Sequence, residues 1–249
     1  MTEEAFLRQD LELARRIHRT LLPRRIVTKR IDIDVRYHEM NLLGGDYATV
    51  YESEPDRFLV CVCDVMGHGL AAALLASRVN SFVRHALREV EHPCQVVDEL
   101  NGFICRSFQG LGLFLTFFCL EIDLRRLQIR YAGCGHPPAL LWSAGAKRCL
   151  RLSSRHVPVG VTREFPVGCE TRSVPIGPGD RLLLFTDGVI ETFGPGDTPF
   201  GIERVESILT NTEEVTESTQ LLDATFAGLK EFRHGAQTDD VLVVAARIL

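Results

Sequence analysis

The chain has 249 residues, of which 45% are hydrophobic and 24% are charged, which is enough for one large globular domain or two small ones. The net charge of −5 and the scattered basic residues argue against nucleic acid as the main partner. No apolar run reaches the length of a membrane span, and the N-terminus lacks the basic-then-apolar order of a secretory signal. We therefore expect a soluble, cytoplasmic protein without a membrane partner.

The cysteines are expected to be reduced, because several lie in apolar strand-like runs and no export signal is present. Cys61 and Cys63 share one face of a predicted strand, and no second Cys or His pair stands at zinc-site spacing. The expectation of free thiols covers Cys61, Cys63, Cys94, Cys105, Cys119, Cys134, Cys149 and Cys169.

The first predicted element is an amphipathic helix from Glu3 to Leu22, which Pro23 ends. Its apolar stripe either packs on its own domain or pairs with the same helix of a second chain, and the spacing leaves both open. The stripe consists of Leu7, Leu11, Ala14, Ile17, His18 and Leu21.

The next elements are two strands, Ile31 to Tyr37 and Phe58 to Asp64, on either side of a Gly-Gly turn. Two helices follow, Leu70 to Val90 and Pro93 to Phe108. Short strands are then predicted in LFLTFFCLEID, LQIRYAG, PALLW, CETRSVPI and RLLLFTD, followed by a helical region from about 202 to 232 and a last strand in DVLVVAARI. Helices in two blocks favour an α+β layered sandwich over a doubly wound parallel sheet.

Several acids stand where predicted strands end or begin. Asp64 ends LVCVCD, Asp187 follows RLLLFT, Asp239 and Asp240 precede VLVV, and Asp46 follows two glycines. Each acid alone is typical of a turn residue that bonds its own backbone. Together, carboxylates that converge on one cleft repel each other unless a hard cation neutralises them, and oxygen ligands suit Mg²⁺ or Mn²⁺.

Such a site is suited to phosphate ester hydrolysis. Two adjacent cations can ionise water near neutral pH and clamp the oxygens of a phosphoryl group, so that no protein nucleophile is needed. The sequence has neither a Gly-x-Ser-x-Gly elbow nor a Gly-x-x-x-x-Gly-Lys phosphate loop.

An ordered series of motifs resembles a known family. The series is LARRIHRTLLP, GGDY, DVMGHG, FLTFFCLEID, AGCGHPP, PVG, LLLFTDGVIET, FGIER and TDDVLVV, and it extends from about residue 11 to residue 249. It resembles the bacterial metal-dependent serine/threonine phosphatases of the sporulation and stress-response type, a branch of the protein phosphatase 2C (PP2C) superfamily.

The resemblance implies an αββα sandwich, in which two mainly antiparallel sheets are flanked by helices and two Mn²⁺ or Mg²⁺ ions lie between the sheets. It implies that Asp46, Asp64, Asp187 and Asp239 form the catalytic metal cluster. The carbonyl of Val65 is implied as a further ligand, and Asp240 as a neighbour that assists. The implied substrate is a phosphorylated protein, typically an anti-sigma factor antagonist.

The N-terminal segment resembles the helix that in relatives joins a sensor to the catalytic domain and often mediates pairing. The resemblance therefore divides the chain into a linker-type helix at 1–23 and a catalytic domain at 24–249. About ten residues precede the resembling segment. We expect any sensor or activator to be absent, removed from this chain or a separate protein, and a homodimer through the helix is one expected state.

At one position the sequence differs from the family pattern, and two histidines need a separate interpretation. Family members carry a second acid three residues after the first, where this chain has Thr49, so weak metal binding and a degenerate enzyme are a live hypothesis. His68 follows the acid too late to match the catalytic histidine of animal and plant relatives, and we interpret it and His136 as structural. The leading hypothesis is a phosphoprotein phosphatase, and the alternative is a non-catalytic module that sequesters a regulatory partner.

Overall fold

The computed structural model describes residues 3–165, 168–211 and 216–249, and its backbone forms two stacked antiparallel sheets covered by helices on both outer faces. In chain order the strands are β1 (Ile26–Val27), β2 (Ile31–His38), β3 (Tyr47–Glu54), β4 (Arg57–Val65), β5 (Leu115–Asp123), β6 (Gln128–Cys134), β7 (Ala139–Ser143), β8 (Arg148–Leu152), β9 (Arg172–Pro175), β10 (Arg181–Phe185) and β11 (Val241–Ile248). The helices are α1 (Glu3–Arg19), α2 (Leu70–Ala86), α3 (Pro93–Ser107), α4 (Asp187–Ile190), α5 (Ile202–Asn211) and α6 (Ser218–Phe232).

The two sheets differ in strand order. The first sheet runs β1-β2-β11-β10-β7-β8 and the second runs β3-β4-β5-β6-β9, and all neighbouring strands are antiparallel. β11, the last strand, pairs between β2 and β10, so the two ends of the domain meet in the middle of one sheet. This closure brings the segment before β11 next to the loop that follows β2.

Strands in the middle of the sandwich are buried on both faces. In β4, Val60 and Val62 face the opposite sheet, whereas Cys61 and Cys63 face α2 and α3. A strand covered on both faces needs apolar residues at every position, which explains why FLVCVC shows no polar alternation. The third part of the core lies between the first sheet and the helices α5 and α6.

The predicted elements are largely found, with shifted ends. The first helix ends at Arg19, and the helix from Leu70 ends at Ala86, although a hydrogen-bonded turn continues to Val90. The predicted helical region 202–232 is two helices, α5 and α6, and residues 212–215 lie outside the described part of the chain. Three strands, β1, β3 and β8, were not predicted.

One pair of cysteines contradicts the expectation of free thiols. Cys94, at the start of α3, and Cys169, in the segment before β9, are joined by a disulfide, with their Cα atoms 5.5 Å apart. The two residues are 75 positions apart in sequence, so only the packing of α3 against β6 and the following loop brings them together. The other six cysteines are free.

Helix α1 packs only partly on the domain. Its His18 side chain is buried, and Arg19 holds the helix to the domain through an ion pair with Glu39, 2.8 Å from Nε to Oε1. Ile17 of the predicted stripe is 59% exposed, and the side chain of Leu7 lies outside the described residues. None of the described helices combines the length and apolar character needed to cross a membrane.

Candidate active site

The predicted acids lie around a cleft of about 330 Å³ at one end of the sandwich, where strands of both sheets terminate. Asp64 is the penultimate residue of β4 in the second sheet, whereas Asp187 follows β10 and Asp239 precedes β11 in the first sheet. All three side chains line the cleft. Asp46, in the turn before β3, lies behind Asp64 and is only 3% exposed.

The carboxylates of the cleft repel one another. Burial raises the pKa of Asp64 to about 7, and the charges of Asp187 and Asp239 add to the shift. Burial, with the charge of Asp239, raises the pKa of Asp187 to about 6. Burial also raises the pKa of Asp239 above its usual range. Four acids from two sheets are therefore held close enough to disfavour each other's ionised form.

Asp46 is the most deeply buried acid of this group. Burial raises its pKa well above the usual range, and the charge of Asp64 is the next largest cause. Its Oδ2 atom is buried without a hydrogen-bond partner among the described residues. A buried, unsatisfied carboxylate oxygen is rare in folded proteins, and a hard cation or a proton satisfies it.

The donor atoms at the cleft are of the kind that binds a divalent cation, but among the described residues they are not arranged as a complete ligand set. Within the described part of the chain, no three His, Cys, Asp or Glu side chains already surround one point as a metal-ligand set. The donors are nevertheless all oxygens, their mutual repulsion is unrelieved, and one of them is an orphaned buried atom. The predicted carbonyl of Val65 lies at the turn before Asp46, 2.8 Å from the position that a Cβ on Gly45 would take.

Asp240 differs from the other acids because its two oxygens already have protein donors. Oδ1 accepts a hydrogen bond from the backbone N–H of Met40 (2.8 Å), and Oδ2 accepts one from that of Gly45 (3.0 Å). The side chain is buried, and it abuts Gly44 so closely that a Cβ there would overlap with its Oδ2 atom. Asp240 thus fastens the turn that carries Asp46 to the start of β11.

Thr49 lies on the opposite face of its sheet from Asp64. It pairs with Cys61 across β3 and β4, and it shares the helix-facing side of β3 with Tyr47 and Tyr51. Asp64 alternates with Cys63 and therefore shares the side of Val62, which faces the other sheet. The threonine therefore does not take a charge away from the cleft, and the physical argument for a degenerate site loses its basis.

The two histidines have different surroundings. His68 lines the cleft and its charge opposes the rise in the pKa of Asp239; it stands between Gly67 and Gly69, whose φ angles of 92° and 77° give the turn its shape. His136 is buried, and burial lowers its pKa to about 3. It supports the cleft from behind through a 2.8 Å hydrogen bond between its Nδ1 and the hydroxyl of Thr116.

Thr116 also lines the cleft, as the register partner of Asp64 across β4 and β5, and its place there was not predicted from the sequence. The available signal was a polar residue within the apolar run LFLTFFCL. Met40, Met66 and Phe114 also line the cleft and give it an apolar rim that no sequence pattern indicated.

Comparisons with known proteins agree with this architecture. The family described as Stage II sporulation protein E (SpoIIE) matches residues 54–249. The phosphoserine phosphatases RsbP and RsbU of Bacillus subtilis (strain 168) are 32% and 25% identical over 189 and 187 residues, each covering 74% of this chain. The matches cover 46% of RsbP and 54% of RsbU, so the chain spans about half the length of these curated relatives.

Solved structures confirm the fold class. The SiaA-PP2C domain of Pseudomonas aeruginosa superposes with a TM-score of 0.84 at 22% identity, covering 98% of both chains. The catalytic domain of the serine threonine protein phosphatase PstP, in complex with two manganese ions, superposes with a TM-score of 0.61 at 15% identity, covering 88% of this chain and 99% of that one. The predicted αββα sandwich is therefore correct.

Proposed function

This chain belongs to the stage II sporulation protein E family, and on that premise we propose that it is a metal-dependent protein phosphatase that hydrolyses phosphoserine or phosphothreonine. The similarity to two proteins named phosphoserine phosphatases supports the reaction, and the manganese complex of a structural neighbour supports the metal. The observation that carries the proposal is the cluster of mutually repelling carboxylates with one buried, unsatisfied oxygen on Asp46.

In this proposal the acids from both sheets hold two Mn²⁺ or Mg²⁺ ions. Divalent cations at such a site supply a water molecule that ionises near neutral pH and neutralise charge on the phosphoryl oxygens. The proposed ligands are Asp46, Asp64, Asp187, Asp239 and the carbonyl of Val65.

Other residues of the chain hold the proposed metal ligands in position and shape the cleft. Asp240 holds the turn of Asp46 through two backbone hydrogen bonds, so the acid from the second sheet keeps its position relative to Asp239. Thr116 lines the cleft that receives the phosphoryl group, and the hydrogen bond with the buried His136 fixes its hydroxyl. The exposed His68 lies at the mouth of the cleft, between the glycines that shape its turn.

The test is phosphate release from an aryl phosphate and from a phosphoserine protein, each with Mn²⁺, Mg²⁺ or chelator. We expect activity only with metal and a loss of at least about 100-fold in kcat/KM for Asp64→Asn and Asp187→Asn, because changes even to groups behind metal ligands cost that much. Asp10→Asn, on the exposed face of α1, is the matched control and should retain full activity.

Turnover that persists in chelator or in both cleft variants contradicts the two-metal mechanism. No turnover on any substrate would favour the alternative, a non-catalytic module that keeps the fold and sequesters a phosphorylated partner. The position of Thr49 on the helix-facing side of β3 weakens that alternative.

We further propose a cytoplasmic role in partner switching. The family resemblance supports a phosphorylated anti-sigma factor antagonist as the substrate, an upstream sensor or activator as a partner, and division of the chain into a linker-type helix at 1–23 and a catalytic domain at 24–249. It also supports a homodimer through α1, for which the exposed apolar side chains of Leu13 and Ile17 are the relevant observation. Dephosphorylation of a purified phosphorylated antagonist, compared with an unrelated phosphoserine protein, tests the substrate assignment.

A further inference from the structure

A second groove lies beside the cleft, between β2 and α6. It has a volume of about 350 Å³, and its floor is formed by the rings of His38 and Phe226, whose centroids are 4.4 Å apart. Lys230 and Arg233, near the end of α6, stand exposed on its rim. The groove therefore has an aromatic floor and a positively charged rim.

The groove is positively charged on a chain that is acidic overall, with a net charge of −5. The lining contains one acid, Asp223, which is paired with Arg36 at 2.7 Å. Among the described residues, neither Lys230 nor Arg233 belongs to an ion pair; Arg233 donates instead to the neutral amide oxygen of Gln237, 3.2 Å away. Two cations on the rim are thus available to a partner.

The charged groups that act on His38 are mainly positive. Its pKa is lowered, first by burial and then by the positive charge of Arg36. Arg233 and Arg19 act in the same direction, and Glu39 opposes them. Three arginines, Arg36, Arg233 and Arg19, therefore lie close enough to His38 to act on its charge, against one acid.

The groove adjoins the candidate active site along the segment before β11. Gln237 lines the groove, and its amide Nε2 donates to the backbone carbonyls of His38 (2.9 Å) and Asp239 (2.7 Å). The next two residues, Thr238 and Asp239, line the cleft. A polypeptide lying across this short segment can occupy the groove and the cleft together.

We propose that this groove binds an acidic segment of the phosphoprotein substrate, adjacent to its phosphorylated residue. The inference rests on the proposed phosphatase function and adds a substrate class to it. Gln237 of the groove and Thr238 of the cleft are consecutive residues, and an extended chain advances about 3.5 Å per residue, so an acid a few positions from the phosphoserine enters the groove. Apolar contact with Phe226 allows the segment to include one large hydrophobic residue.

The experiment compares two synthetic phosphoserine peptides of equal length, one with flanking glutamates and one with glutamines in their place. At low salt we expect the intact protein, with Mn²⁺, to give a kcat/KM roughly tenfold higher for the acidic peptide, an advantage that shrinks at about 0.5 M salt as screening increases. In Lys230→Glu and Arg233→Glu the advantage should disappear, while hydrolysis of an aryl phosphate, which has no flanking peptide, stays unchanged.

Arg84→Glu is the matched control, since Arg84 is an exposed cation in the last turn of α2, as Lys230 is in the last turn of α6. It should retain the full preference. Equal kcat/KM for the two peptides in the wild type, or the same loss in Arg84→Glu as in Lys230→Glu, would overturn the proposal.

A binding measurement separates this proposal from the proposed function. Fluorescence anisotropy with the labelled, unphosphorylated glutamate peptide needs no catalysis, and we expect its Kd to rise several-fold in Lys230→Glu and not in Arg84→Glu. If no substrate is hydrolysed but this difference is found, the phosphatase assignment fails and the groove remains an acidic-segment site. If hydrolysis occurs without peptide discrimination or differential binding, only the groove assignment fails.

Discussion

The protonation state of single carboxylates governs the stability of the cleft. In the metal-free protein the pKa of Asp64 is about 7, against 3.8 for an ordinary aspartate, because of burial and the charges of Asp187 and Asp239. The folded state therefore binds this proton more tightly than the unfolded state does. The resulting stabilisation is complete below about pH 4 and is lost as the pH rises toward 7.

We expect the free energy of unfolding, measured by urea denaturation in chelator, to fall by roughly 2–3 kcal/mol between pH 5 and pH 7 through Asp64 alone. Asp64→Asn, which cannot ionise, should flatten this part of the profile. Asp10→Asn, whose carboxylate lies on the exposed side of α1, should leave it as steep as in the wild type. An equally steep profile in Asp64→Asn would contradict the assigned repulsion.

Two neighbouring aspartates have different surroundings. Asp239 and Asp240 look equivalent in the sequence TDDVLVV, yet Asp239 lines the cleft while Asp240 accepts hydrogen bonds from Met40 and Gly45. The difference lies in the segment just before β11, where Asp240 is buried against the turn of Asp46 and Asp239 is exposed at the cleft. Sequence alone could not choose between them, because the partners of Asp240 are about two hundred positions away.

At the scale of elements, burial on both faces explains which strands could be predicted. The strand β4 has an uninterrupted apolar run, and β11 has another, because each lies in the middle of a sheet with a second layer on either side. The strands that were missed lie at sheet edges: β3 ends one sheet, and β1 and β8 are the two ends of the other. Edge strands are partly exposed and contain polar residues that resemble a loop, as in YATVYESE.

The disulfide gives a prediction at this scale, because it links α3 to the segment that precedes β9. Its ends are 75 residues apart, for which the chain-entropy model gives an upper value of about 4.5 kcal/mol, and disulfides typically contribute about 2–4 kcal/mol of stabilisation. We expect reductant to lower the unfolding free energy of the wild type by that amount, and Cys94→Ser to be both destabilised and insensitive to reductant.

Cys149→Ser is the control for this experiment, since Cys149 is a free and partly exposed thiol. Its stability should keep the wild-type dependence on reductant. Mass spectrometry of alkylated protein should find Cys94 and Cys169 protected together without reductant. Alkylation of both thiols in the native, unreduced protein would show that the bond does not form in solution.

At the scale of the whole molecule, α1 and α2 expose an apolar surface in the part of the chain that the structure describes. Leu13 is 53% exposed, Ile17 59% and Leu74 61%, and a groove of about 200 Å³ lies between the two helices. Apolar patches of this kind on a protein surface mark interaction sites. A second copy of the chain, pairing through α1, would bury them.

We expect sedimentation velocity at micromolar concentration to show a dimer for the wild type and a monomer for Ile17→Glu and Leu74→Glu, because each change places a charge in the buried contact. Leu111→Glu is the matched control: Leu111 is 65% exposed in the loop after α3, away from this surface, and its variant should remain dimeric. A wild type that stays monomeric at tens of micromolar, or a Leu111→Glu variant that dissociates equally, would refute pairing through α1.

The sequence by itself determined the residue chemistry and the class of fold. Apolar runs that end in aspartate, two blocks of helices and an ordered series of motifs sufficed to predict an αββα sandwich with Asp46, Asp64, Asp187 and Asp239 as candidate ligands. The prediction of the fold class succeeded because burial and strand termination are local properties, which leave a pattern in neighbouring residues.

Only the tertiary structure decided which groups meet. The closeness of Asp64 to Asp187, the backbone donors of Asp240, the side of the sheet that Thr49 occupies, the pairing of Cys94 with Cys169 and the basic groove next to the cleft all depend on how distant elements pack. Contacts between residues far apart in the chain are set by the stacking of sheets and helices. No periodic pattern of residues within a single segment indicates how the sheets and helices stack.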